Sequence, residues 1–133
     1  MPRFMLDTNA VSHAIYAPNG PVQRRIAAVG EANTCTSIIV ACEMRFGVLK
    51  RGATTLGKKV EQFLTRIEVC RLDLGVDRKY AELRTALERV GTPIGANDML
   101  IAAHALALDC VLITANTREF RRVPGLVVEN WLD

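Results

Sequence analysis

Short apolar runs along this chain alternate with longer stretches in which hydrophobic residues recur every three or four positions. The first pattern predicts strands and the second amphipathic helices. Residues 3–6 form a short apolar strand and 9–16 a short helix. The Pro18-Asn-Gly-Pro21 turn opens a second helix, which runs to Val29 and is stopped by Gly30. Residues 34–36 read as a strand. Ser37 then caps a long helix that fades at Arg51-Gly52. A further helix covers about 55–66, with Val60, Phe63, Leu64 and Ile67 on one stripe. Residues 69–72 are a strand. The helix at 77–90 turns Tyr80, Leu83, Leu87 and Val90 inward. After the loop 92–95, a helix apolar nearly all round spans 97–108. A strand at 111–114, a helical turn near 117–121 and an apolar end at 126–129 close the chain.

Strands alternating with helices imply an α/β fold, a central parallel sheet with helices on both faces. In such sheets, ligands gather beyond the carboxyl ends of the strands. Asp7 and the segment Thr114-Ala-Asn116 both follow a strand, which puts them on one rim. No internal repeat, low-complexity tract or linker interrupts the pattern, so the 133 residues are read as one domain.

Against this background four acids stand out of place. Asp7 ends Phe4-Met-Leu6, and Glu43 lies within the apolar run 37–49. Asp98 opens the apolar stretch 99–110, and Glu119 follows Val111-Leu-Ile-Thr114 by a few residues. An unpaired carboxylate taken out of water costs several kcal/mol or gives up its charge. A cation gathering these acids removes that cost, so the pattern points to a metal-binding acidic pocket.

Composition narrows the setting. Half the residues are hydrophobic and 23% are charged, which describes a globular chain. No apolar run reaches the roughly 18 residues of a membrane span. The start of the chain lacks a signal-peptide pattern, and the expected location is the cytoplasm. Cys35, Cys70 and Cys110 fall in or beside strand-like segments and Cys42 in a helix-like one, without C-x-x-C spacing. They are expected to be buried free thiols in a reducing compartment. The net charge of +3 survives the gathering of several acids, so the remaining surface is more basic than the total suggests. Basic clusters at Arg24-Arg25, Arg45 with Lys50-Arg51, Lys58-Lys59, Arg78-Lys79 and Arg118 with Arg121-Arg122 suit a phosphate backbone, or are simply solvated helix faces. Aromatic residues make up only 5%, so extensive base stacking is not indicated.

Each candidate has a structural alternative. Asp7-Thr8-Asn9 suits a helix cap, and cap and metal ligand are compatible because amides and cations both favour the ionised form. Glu43 sits at helical spacing between Ile39 and Phe46 on one side and Val40 and Gly47 on the other, an apolar wall. A structural role there needs a buried arginine, and Arg45 points to the wrong side of the helix. Asp98 lies early in its helix, where the dipole favours negative charge. Its own face carries Ala102 and Ala105, small enough to let another element approach. Thr114, Asn116 and Glu119 add a hydroxyl, an amide and a carboxylate that can hold water around an ion. Glu119 can equally pair with Arg118, Arg122 or solvent. His13 and His104 lack the Ser or Cys context of a nucleophile and base pair. All-oxygen ligands select a hard ion, Mg²⁺ or Mn²⁺. The reaction they suit is phosphodiester hydrolysis.

The segments Phe4-Met-Leu-Asp-Thr-Asn9, Glu43-Met-Arg-Phe-Gly47, Pro93-Ile-Gly-Ala-Asn-Asp98 with Ile101-Ala-Ala103, Thr114-Ala-Asn116 with Arg118-Glu-Phe120, and the closing 123–131 resemble the PIN-domain ribonucleases. In particular they resemble the VapC toxins of bacterial type II toxin–antitoxin systems. The resemblance covers the whole chain. It implies a three-layer sandwich and an endoribonuclease dependent on Mg²⁺ or Mn²⁺. It further implies structured RNA such as tRNA as substrate, a cognate antitoxin whose tail covers the groove and often places an arginine at the acids, and homodimers within larger assemblies. By the family pattern Asp7, Glu43 and Asp98 are the metal-site acids, with Thr8, Asn9, Thr114 and Asn116 supporting. Many members carry a fourth acid where this chain has Asn116, which leaves Glu119 to compensate. Other classes fit less well. An aspartyl-phosphate phosphotransferase usually needs a second acid where Asn9 stands, and no G-x-G-x-x-G follows a strand. A non-catalytic RNA-binding module is disfavoured by three intact acids.

Overall fold

The computed structural model describes residues 3–133. Five strands form one all-parallel sheet: β1 (Arg3–Leu6), β2 (Thr34–Ser37), β3 (Glu68–Cys70), β4 (Cys110–Ile113) and β5 (Val128–Glu129). Their order is β3-β2-β1-β4-β5. The first two crossovers step outward from β1 through α1 (Thr8–Tyr16) and α2 (Pro21–Val29), then through α3 (Ile38–Arg51) and α4 (Thr54–Arg66). The third returns across the sheet through α5 (Val76–Arg89) and α6 (Ala96–Ala107). Right-handed crossovers running in opposite directions place these two helix groups on opposite faces, giving the expected three-layer sandwich. A short helix, α7 (Thr117–Phe120), follows β4.

The strand order reverses direction between β1 and β4, and this is where such folds open a ligand crevice. Pairing runs in register from Arg3 opposite Cys110 to Leu6 opposite Ile113. It extends one step further, with the Asp7 amide donating to the Ile113 carbonyl at 2.9 Å. Asp7 and Thr114 are therefore delivered side by side by two neighbouring backbones.

The core is continuous through both layers. Met5 and Leu6 from β1, Leu112 and Ile113 from β4, and Ile101 to Ala105 from α6 are fully buried. The apolar character of α6 on nearly every side reflects a helix sealed between the sheet, α5 and α3. Ser37 does cap α3, accepting from the Ile39 amide at 3.1 Å, and its hydroxyl also meets Nδ1 of the fully buried His104 at 2.8 Å. Burial lowers the pKa of His104, partly offset by the Arg71 backbone, so it packs as a neutral core side chain.

Four expectations need correction. Val90 was expected inward but is 70% exposed, because α5 ends at Arg89 and the chain turns away at Gly91, whose φ is +70°. Phe46, assigned to an apolar wall, is 65% exposed, since the core side of α3 is the one carrying Val40, Ala41 and Met44. The strand expected at 69–72 is Glu68–Cys70, its register set by Cys35 opposite Glu68 on β2. Cys42 lies on the exposed side of α3, while Cys35, Cys70 and Cys110 are buried and all four are free thiols.

Candidate active site

The site begins with backbone pairing. Asp7 is the residue that ends β1 and caps α1, with its Oδ1 accepting from the Thr8 amide at 2.8 Å. The capping alternative is thus correct, and it fixes the side chain without using up the carboxylate. Oδ2 accepts from the Thr114 hydroxyl at 2.8 Å and, more loosely, from Asn9 Nδ2 at 3.4 Å. Asn9 also donates to Thr114 Oγ1 at 3.1 Å and accepts from the Ala115 amide at 2.9 Å, clamping the exit of β1 to the exit of β4. Asp7 is 4% exposed. Burial raises its pKa, and the Thr114, Thr8 and Asn9 hydrogen bonds oppose that rise while the charge of Glu43 adds to it.

Glu43 is carried to the same place by α3. Its Oε1 accepts from the Thr8 hydroxyl at 2.7 Å, so Thr8 bridges Asp7 through its amide and Glu43 through its side chain. Asp98 comes from the first turn of α6, half-buried, and makes no capping bond. Its first-turn position is the one the helix dipole favours, and no side-chain partner takes up its carboxylate. An added Cβ at Gly95 would stand 3.4 Å from Asp98 Oδ2, so the glycine keeps the carboxylate's flank clear. Glu119, on α7, accepts from Asn116 Nδ2 at 2.8 Å and pairs with neither Arg118 nor Arg122.

The Asp98 carboxyl lies within the field of the other three acids. Its pKa is pushed up to about 6, first by burial, then by the charges of Asp7, Glu43 and Glu119. No arginine or lysine lies within ion-pair distance of these four among the described residues. Arg45, excluded as a partner by its direction on α3, instead grips Glu61 on α4 through two hydrogen bonds at 3.0 and 3.1 Å. The pocket is thus a concentration of negative charge without a countercharge from the protein. Among the described residues no three His, Cys, Asp or Glu side chains stand close enough to cage an ion by themselves. Hard ions that keep several waters and take one or two carboxylates fit that spacing.

Two residues that line the space beside Glu43, Ser12 and Tyr16, were not singled out by the sequence, and Arg51 stood there only as one of a basic cluster. A signal did exist. Thr8, Ser12 and Tyr16 recur at four-residue spacing along α1, as do Glu43, Gly47 and Arg51 along α3.

A parallel sheet with acids gathered at its switch point defines a class of hydrolytic α/β domains, and the comparisons agree: residues 4–126 match the PIN domain. The chain belongs to the PIN-domain family, within it to the VapC ribonucleases. Ribonuclease VapC2 of Rickettsia felis is 38% identical over 130 residues, covering 96% of this chain and 97% of that protein. The tRNA(fMet)-specific endonuclease VapC of Salmonella typhimurium is 35% identical over 132 residues, covering 98% and 99%. Among solved structures, VapBC2 from Rickettsia felis bound to a DNA fragment from its promoter superposes with a TM-score of 0.89 at 35% identity, over 96% of this chain and 98% of that one. DNA-bound VapBC from Salmonella typhimurium gives 0.88 at 34% identity, over 98% and 99%.

Proposed function

We propose that this VapC-family ribonuclease is a toxin that cuts RNA using Mg²⁺ or Mn²⁺ bound through water and one or two carboxylates among Asp7, Asp98 and Glu43, with Glu119 completing the charge of the pocket. The observation that carries the reading is the convergence of four carboxylates without one neutralising guanidinium or ammonium group. A divalent ion bound there lowers the pKa of a bound water and neutralises charge as it builds on the phosphate. The chain's own residues do the positioning. Thr114 and Asn9 hold Asp7 in a single orientation, Thr8 ties Glu43 to it, and Asn116 orients Glu119. With the pKa of Asp98 pushed up to about 6, a proton competes with a metal ion for this carboxylate as pH falls towards that value.

The partner is a cognate antitoxin, as in the VapBC complexes this chain resembles. An apolar groove of about 550 Å³ between α3 and α4, lined by Val48, Leu49 and Val60, offers a helix of that partner a place to lie, with Leu49 81% exposed. An arginine from its tail reaching the acids would supply the countercharge the toxin lacks. Structured RNA, with tRNA the foremost candidate, is the proposed substrate, the cytoplasm the proposed setting, and a homodimer within a larger toxin–antitoxin assembly the proposed form. No helix among the described residues is long and apolar enough to cross a membrane.

Antitoxin-free protein is expected to cut RNA when Mg²⁺ or Mn²⁺ is present. Asp7→Asn and Asp98→Asn should each reduce cutting by at least about 100-fold while circular dichroism shows an intact fold. Cutting in chelator, or full activity in both variants, rejects the reading.

A further inference from the structure

Beside the acids, and distinct from the apolar groove, lies a cavity of about 200 Å³ between α1 and α3. One end is Thr8 and Glu43; the other is Tyr16 and Arg51. Its size is below the roughly 300–1,000 Å³ of pockets for drug-sized ligands, so it suits a single ring system.

Three observations bear on what enters it. First, Gly47 lies in the middle of α3 and lines the cavity, yet a Cβ built there would meet nothing within 4 Å. A helix-interior glycine costs about 1 kcal/mol against alanine, and no packing constraint within this chain explains it. Its effect is to leave open space. Second, the chain has four Phe, two Tyr and one Trp, and the two that stand among the exposed large hydrophobic residues are Tyr16, which lines the cavity, and Phe46, further along the surface of α3. Third, each carries a cation. Arg51 donates to the Tyr16 hydroxyl at 3.3 Å, and Lys50 Nζ stands 5.8 Å from the Phe46 ring centroid. Neither Arg51 nor Lys50 has a carboxylate partner among the described residues.

An open slot, a ring at its mouth and an unpaired cation beside it match the way single-stranded nucleic acid is held, by base stacking with the backbone in a positive groove. We infer that this cavity is a subsite for one unpaired nucleobase of the RNA, immediately beside the phosphate presented to the acids, with Tyr16 as the stacking ring and Arg51 reaching the adjoining phosphate. This rests on the ribonuclease reading and adds a requirement for an unstacked nucleotide at the cut. A structured substrate would present it from a loop. Tyr16 and Arg51 are then positioning residues, remote from the bond that breaks.

The test uses the full chain carrying Asp98→Asn, so that a single-stranded RNA oligonucleotide of mixed sequence stays uncut during binding. Gly47→Leu fills the slot from a site where space is free, so the fold should hold and Tm should stay level or rise. Gly47→Leu and Tyr16→Ala are each expected to weaken RNA binding roughly tenfold or more. Tyr16→Phe keeps the ring and is expected to retain most of the affinity. In the cutting protein, Gly47→Leu and Tyr16→Ala should raise KM more than they lower kcat. An oligonucleotide bearing 5-bromouridine should cross-link on irradiation to the peptide containing Tyr16. Unchanged RNA binding by folded Gly47→Leu and Tyr16→Ala overturns the inference, and does so equally if those variants lose only the antitoxin. Unchanged KM in variants whose parent cuts RNA overturns the subsite alone. A parent that does not cut overturns the ribonuclease reading and the subsite with it.

Discussion

Acids on the outer surface and acids in the pocket are treated in opposite ways by this fold. Outside, Glu68, Glu31, Glu61 and Glu88 each meet an arginine, from Arg3, Arg66, Arg45 and Arg84 respectively. At the carboxyl end of the sheet, Asp7, Glu43 and Glu119 meet only hydroxyls and amides, and Asp98, without a partner, feels the charge of the other three. The chain has 17 basic residues to 14 acidic ones, so cations are not scarce. The outer pairs sit in high dielectric and contribute little; the pocket acids are partly desolvated and repel one another. Stability alone would arrange the reverse, with countercharges where the cost is greatest. The pocket's negative charge is therefore left uncompensated by this chain, and the proposed metal ion would supply what is missing.

Metal-dependent cutting by Asp7→Asn and Asp98→Asn tests this contrast most sharply: its loss is the largest effect expected, and its retention in both would break the contrast. Next comes the clamp around Asp7. Thr114→Val removes the 2.8 Å hydrogen bond while keeping the volume, and should lower metal affinity roughly 10- to 100-fold, measured by titrating Mn²⁺ against activity. An unchanged Mn²⁺ dependence would show that the Asp7 carboxylate needs no such support.

The third effect concerns pH. Asp98 has a folded-state pKa raised from 3.8 to about 6, so the folded chain holds this proton more tightly than the unfolded chain does. The stability this contributes is fully present below about pH 3.8 and is lost as pH rises through about 6. In metal-free buffer Asp98→Asn should therefore melt above the parent at about pH 7.5, with the difference shrinking towards about pH 5. Glu43→Gln should leave Tm equal or higher under the same conditions, because it relieves repulsion. A fall of many degrees in either would mean a structural ion pair. Metal-dependent cutting should decline as pH drops below about 6, where protonated Asp98 no longer binds the ion. The smallest effect is the outer counterpart: Arg45→Ala breaks the Glu61 pair and should change stability by about 1 kcal/mol or less in urea unfolding.

The same contrast explains what could be read from the sequence. Acids without a local reason are visible against apolar periodicity, which is why Asp7, Glu43 and Asp98 stood out before any coordinates. Strand exits and caps were equally legible, because Ser37 and the Asp7-Thr-Asn9 run have few other uses. Direction along a helix was legible only where one side meets the core. Periodicity places Phe46 among apolar neighbours but cannot say that the core meets α3 only through Val40, Ala41 and Met44, and it cannot say that Val90 lies beyond the last turn of α5. The Tyr16–Arg51 pair escaped notice because it joins two helices 35 positions apart, and its meaning depends on the open space left at Gly47.

The most direct measurement is the melting temperature of the antitoxin-free chain with and without Mn²⁺ at neutral pH. Asp98→Asn serves as the comparison. A ligand that binds only the folded state raises Tm with concentration. The parent should climb steadily as Mn²⁺ is added, from a metal-free baseline at or below that of the variant, and the variant should climb far less. A parent indifferent to Mn²⁺, or a variant that climbs as much, would contradict the claim that these acids are left unpaired to hold a divalent ion.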